Sequence, residues 1–357
     1  MRKRRTLMAI LGTCAVIASA AVYFKVGASL DSPPEHRAFY FWQTEWSPSP
    51  ALVDSLTENK IDKLYMRFFD VEWTAASQSS RPVAPLRFQS APPNNVEIIP
   101  VVYLVNEVFM KMRYEDVPAL ADHVWQQVSG MAKENGIAFR ELQIDCDWTD
   151  SSQRNYFHFI NVLNEPLKKL KNEKKTLSAT IRLHQVKFVE RTGVPPVDRG
   201  MLMFYNFGRI QAETDGNSIF NEHDASKYAS YIADYPLKLD VVLPMFSWSI
   251  HARGGEVMGL LDNVGSADAT NFDGFRLDFQ NRYTATRPFF FRSHYFLEGD
   301  VLRVEETTPA TTVRAAALAK RGAGWRKRYE TVALFDLNEQ RVKSYTASSM
   351  RSIFAQF

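Results

Sequence analysis

Two carboxylates two residues apart, Asp145 and Asp147, stand in the stretch Ile144-Asp145-Cys146-Asp147-Trp148-Thr149-Asp150 of a 357-residue chain. Side chains alternate along a strand. In an extended segment Asp145, Asp147 and Thr149 therefore share one face, and Cys146 points to the other. Like charges at that spacing repel. Either one carboxyl is pushed toward its protonated form, or a cation such as Arg67 or Arg182 neutralises the pair. One raised carboxyl beside one ionised carboxylate is the equipment of general acid–base chemistry, glycoside hydrolysis included. The competing reading is structural: an Asp pair that holds loops through backbone amides or through Arg182.

Such residues need a scaffold, and the chain has an apolar rhythm that supplies one. Eight apolar or aromatic runs, at 36–46, 61–73, 96–105, 139–148, 176–183, 201–207, 239–248 and 331–337, alternate with helical stretches such as 115–135 and 155–170. Val117, Leu120, Val124 and Val128 recur at helical spacing within the first of these helices. The runs are continuous rather than alternating in polarity, as strands covered on both faces are. The pattern predicts an α/β fold, a (β/α)8 barrel of the TIM type, with an inserted lobe at 253–330 between strands seven and eight.

In such a barrel the chemistry gathers where strands end at their C-terminal side. The polar residues at those ends are Glu45, Arg67, Asp70, Glu72, Asn106, Glu107, Asp145, Asp147, Arg182, His184, Gln185, Tyr205, Asn206, Ser247 and Asp336. Trp42, Tyr103, Trp148, Phe246 and Trp248 lie among them. Flat apolar rings beside hydrogen-bonding groups suit a sugar, whose faces stack while its hydroxyls bond. Asp145, Asp147 and Glu107 are the candidate catalytic carboxyls, with Asp147 and Glu107 the preferred pair. Tyr205, Asn206, Arg182, Gln185, Trp248, Arg67 and Trp42 are the candidate substrate contacts. His184 alone reads as structural, and the histidines show no zinc-ligand spacing. No Gly-rich phosphate loop and no Gly-x-Ser-x-Gly elbow occurs, so neither a metal nor another cofactor is expected.

The charge balance locates the protein. Arg2, Lys3, Arg4, Arg5 and Lys25 carry five of the positive charges, and residues 1–25 hold no acid; removing these five from the net +3 leaves −2. A near-neutral body gives no electrostatic footprint for nucleic acid. The basic cluster followed by the uncharged apolar run 6–24 is an export signal, either cleaved after Ala18-Ser19-Ala20 or retained as a single membrane-anchoring helix. Residues 26–36 then form a tether, and 37–357 the barrel. The body is placed on the periplasmic or extracellular side. There Cys146, its only cysteine, forms no intrachain disulfide.

Three motifs give a family resemblance. Asp145-Cys146-Asp147-Trp148-Thr149 resembles the Asp-x-Asp-x-Glu end of strand four in chitinase-like barrels of glycoside hydrolase family 18. Met203-Phe204-Tyr205-Asn206 resembles that family's strand-six signature, and Leu243-Pro244-Met245-Phe246 its strand-seven end. The chain also resembles a group of exported bacterial barrel proteins. The family resemblance implies that Asp147 orients a substrate acetamide, that Asp145 tunes Asp147, and that Tyr205 and Asn206 hold the carbonyl oxygen. The family's proton-donating Glu falls on Thr149, whose hydroxyl cannot supply a proton near neutral pH. Two functions follow: an exported glycosidase-like enzyme with a displaced acid, or a non-catalytic glycan-binding envelope protein on a degenerate hydrolase barrel. A metal-dependent deacetylase or phosphodiesterase lacks its His-rich ligand set. The expected partner is carbohydrate, with the membrane added if the N-terminal helix is retained.

Overall fold

The structure is a computed structural model that describes residues 34–169, 175–208, 210–212, 216–325 and 327–357. The proposed export segment, and the tether as far as residue 33, lie outside them. Among the described residues no helix is long and apolar enough to cross a membrane.

Eight strands form the closed part of the nine-stranded central sheet, whose ninth, Ser79–Val83, pairs antiparallel with the end of the second: β1 (His36–Phe41), β2 (Lys63–Thr74), β3 (Glu97–Leu104), β4 (Glu141–Asp145), β5 (Thr176–Arg182), β6 (Arg199–Met203), β7 (Leu239–Pro244) and β8 (Thr331–Phe335). They pair in parallel in chain order, and β1 bonds both β2 and β8, so the sheet closes on itself. This is the (β/α)8 barrel expected from the alternation of apolar runs and helices.

Alternation along each strand builds two cores. Phe39, Leu64, Leu142, Ile144 and Leu202 point outward under the helices. Ala38, Tyr40, Tyr65, Val101, Met201 and Met203 point inward and pack the lumen. Both sets are buried, which is why the strands read as continuous apolar runs. The helix Val117–Glu134 turns Val117, Leu120, Val124 and Val128 to the barrel, as their spacing predicts.

The long connection from β7 to β8 differs from expectation at both ends. The seventh apolar run breaks at Pro244. A new antiparallel strand begins at Ser247, pairing with Glu256–Asp262 on one side and Val301–Glu306 on the other. The resulting five-stranded sheet ends at Glu306, with its own aromatic core of Phe289, Phe291 and Phe296. The lobe thus starts at 247 rather than 253. Its last expected piece belongs to the barrel: helix Pro309–Ala323 buries Ala315, Ala316, Ala319 and Ala323 in the outer core. Small side chains at that spacing let a helix lie close against its neighbours.

Candidate functional site

All eight strands contribute to one cleft at their C-terminal ends, of about 390 Å³. Trp42 follows β1, Arg67 lies on β2, Tyr103 on β3, Asp145 on β4 and Arg182 on β5; Tyr205 and Asn206 follow β6. Phe246 and Trp248 follow β7, Asp336 follows β8, and Asp262 with Asn263 reach over from the lobe. Asn206 takes a left-handed φ of 58°, which Asn tolerates better than most residues, and its amide bonds Ile219 O at 2.8 Å. That turn folds the chain after β6 back on itself and leaves the Asn206 side chain at the cleft wall.

The Asp pair is neutralised by a cation. Arg182, one strand over, donates to Asp145 Oδ1 at 3.3 Å through Nη2 and to Asp147 Oδ1 through Nε. Thr180, on the same strand, donates to Asp145 Oδ1 at 2.6 Å. Burial pushes the Asp145 carboxyl up, and Arg182 pulls it back down. The two carboxylates hold the Arg182 guanidinium far above its ordinary range against the opposing effect of burial. Asp147 itself is half-exposed at the rim. The face shared by 145, 147 and 149 survives the end of β4, since Cys146 and Trp148 are both buried behind it. Trp148 donates to Thr192 O at 2.9 Å, which fixes the turn. Thr149 bonds Ser151 at 3.0 Å and is reached by Asn106 at 3.5 Å.

Two other carboxyls near the mouth are held at higher pKa than usual. Asp70 is pushed up to about 6 by burial, with Arg67 at 3.2 Å opposing and Glu72 and Asp145 adding to the rise. Asp336 is also pushed up to about 6 by burial, its own backbone N–H and then Arg341 opposing and Asp262 reinforcing. It is 5% exposed, and its Oδ1 has no hydrogen-bond partner. An acid whose folded pKa exceeds its unfolded value stabilises the fold below the unfolded pKa, and that benefit is lost as pH rises through the folded pKa. For Asp336 the window runs from about 4 to about 6. The neutral Asp336→Asn removes the dependence. It should be more stable than the parent by about 2 kcal/mol at about pH 7 and no more stable at about pH 4, as read by urea unfolding at both values. A gain equal at both pH values would show that Asp336 titrates normally.

Several sequence-level candidates stand elsewhere. Glu107, the preferred partner of Asp147, is not in the cleft. The chain leaves β3 and coils at once into helix Asn106–Lys111, where Glu107 is half-exposed and pairs with Lys111 at 3.7 Å. Gln185 is fully buried and does not line the cleft. Its Oε1 accepts from Arg182 N at 2.7 Å and its Nε2 donates to Trp148 O at 3.2 Å, so it caps the short helix after β5. Glu45 pairs with Arg87 at the surface, and His184 is exposed on the helix Leu183–Lys187. Arg67 and Trp42 do line the cleft, the guanidinium lying 5.4 Å from the ring centroid. Trp248 lines it too, its Nε1 donating to the buried Glu305 at 2.8 Å. Asp262 and Asn263 are not legible in the sequence, because a polar pair at the end of an ordinary antiparallel strand carries no sign that it overhangs a barrel mouth.

No family model matches the chain, and no curated protein matches it. Solved structures do. The spore cortex-lytic enzyme SleL of Bacillus megaterium QM B1551 superposes with a TM-score of 0.55 at 13% identity over 90% of this chain and 74% of that one. SleL of Bacillus cereus gives 0.51 at 14% identity over the same shares. The chitinase of Chromobacterium violaceum ATCC 12472 gives 0.50 at 13% identity over 90% of this chain and 98% of that one. The closed sheet and these likenesses together show that the chain has the TIM-barrel fold of chitinase-like proteins.

Proposed function

We propose that this is an exported carbohydrate-binding protein on a glycoside hydrolase-like barrel, and that its strand-four carboxylates do not cleave the chain they bind. Hydrolysis needs one carboxyl that can give a proton and one carboxylate free to act on the sugar or its water. Here a single guanidinium holds both Asp145 and Asp147, and by the motif resemblance the family's acid falls on Thr149. That clamp is the observation that carries the reading. The lining supports carbohydrate as the ligand: Trp42, Tyr103, Phe246 and Trp248 offer ring faces, and Arg182, Asn206 and Asp336 offer polar groups. Similar folds bear the names chitinase and spore cortex-lytic enzyme, which points to a polysaccharide. The basic and apolar N-terminus supports export.

A second reading has its own support. Asp336 and Asp70, both held near 6, are acids of the kind a displaced general acid needs. One experiment separates the two. The purified protein is titrated with a panel of neutral and amino-sugar oligosaccharides, and long incubations are assayed for new reducing ends. Binding without product is expected, weakened roughly fivefold to tenfold by Trp42→Ala or Trp248→Ala, the scale of a lost ring contact. Reducing ends that disappear in Asp336→Asn would replace binding with hydrolysis by a displaced acid.

A further inference from the structure

Resting on that carbohydrate reading, we infer that the cleft selects a sugar with a free, cationic amino group, held by Asp336 and Asp262. The charges around the mouth leave these two unanswered. Arg67 faces Asp70, and Arg182 faces Asp145 and Asp147. Arg341, the cation nearest Asp336 in influence, is committed to Ser247 and, at 3.4 Å, to Glu306. Asp262 has no ion-pair partner among the described residues, and Asp336 lacks one too. Both border the cleft.

Asp336 also has an unmet bond. It is 5% exposed; its own backbone N–H supports the carboxylate, while Oδ1 has no hydrogen-bond partner. A buried carboxylate oxygen without a donor is costly, and a ligand that brings one recovers that cost. A hydroxyl would bring a hydrogen bond and leave two like charges facing each other. An ammonium brings up to three donors and a charge of opposite sign. An acetylated nitrogen brings one weak donor and a carbonyl oxygen that both carboxylates repel. The residue that the family resemblance assigns to the acetamide, Asp147, is bound to Arg182. A metal ion is a poorer occupant, because no group of three His, Cys, Asp or Glu side chains able to hold one exists among the described residues.

The test uses the whole protein and three probes: the tetramer of glucosamine, the tetramer of N-acetylglucosamine, and a neutral glucose oligomer, each titrated calorimetrically. The glucosamine tetramer should bind at least about tenfold more tightly than its acetylated counterpart at about pH 6.5. The preference should narrow at about pH 5, where burial and the neighbouring Asp262 favour protonation of Asp336 against the opposing field of Arg341, and should narrow in high salt. Asp336→Asn and Asp262→Asn should each bring the ratio of the two affinities toward one. The second variant sits at an exposed position and keeps the test open if the first misfolds. Equal or tighter binding of the acetylated tetramer, or a preference that survives both substitutions, overturns the inference and leaves a carbohydrate site in place. Failure of all three probes to bind overturns the carbohydrate reading and this inference with it.

Discussion

Replacing Arg182 by Leu should cost about 3–5 kcal/mol of stability at about pH 7, the range for breaking a buried ion pair from one side. Asp145 is the reason. It is nearly inaccessible at the barrel mouth, and its charge is answered by the guanidinium and one hydroxyl. Without Arg182 only Thr180 opposes burial, so the Asp145 carboxyl moves further above its ordinary range. The variant can escape part of the penalty by taking up a proton. Its deficit should therefore shrink as pH falls toward about 5, because its folded state then binds a proton that its unfolded chain has already released. Urea unfolding at about pH 5 and about pH 8 reads both numbers. The double variant Arg182→Leu with Asp145→Asn should recover most of the loss, since the pair is then removed and no longer broken. A loss below about 1 kcal/mol, or one that does not change with pH, would mean that Asp145 is solvated and that the clamp is a surface contact.

This clamp also shows what the residues disclose by themselves. Two Asp on one face of a strand demand a cation or a protonated partner, and the strand ends offer two, Arg67 and Arg182. The barrel was legible for a similar reason: burial on both faces erases polarity alternation, and eight such runs separated by helices have few other solutions. Legibility fails where the chain leaves a strand. Whether the residue after β3 continues outward or coils into a helix decides where Glu107 points, and a single turn moved it from the cleft to the surface. Gln185 looked like a ligand contact because polar residues past strand ends often are. Its amide was needed to satisfy backbone groups of Arg182 and Trp148. The start of the lobe was hidden for a different reason. Leu239 to Trp248 reads as one largely apolar run, and only Pro244, which has no N–H for a ladder, marks the boundary between a parallel and an antiparallel strand.

The largest effect away from β4 is expected at Glu305, which joins the lobe to the cleft. It is 1% exposed and pairs with Arg303, which is equally buried. Glu305 Oε2 accepts from Trp248 Nε1 at 2.8 Å and from Ser218 N at 3.0 Å. Arg303 donates to Gly216 O at 2.9 Å and to Gln211 O at 2.7 Å. One buried pair on a lobe strand thus fixes the chain that follows β6 and the indole that follows β7. Glu305→Ala leaves a guanidinium charged and unanswered in the interior. It should cost about 3–5 kcal/mol by urea unfolding. It also frees Trp248, so glycan affinity should fall along with stability. Glu305→Gln keeps an acceptor for the indole and the Ser218 amide while removing the charge. It should therefore lose stability by a similar mechanism but retain more of the binding measured at a temperature where both variants are folded. Substituting both members, Arg303→Met with Glu305→Gln, should recover part of the stability, because no uncompensated charge remains buried. If Glu305→Ala unfolds no more readily than the parent, the pair is solvated, and the lobe is not what holds the indole in place.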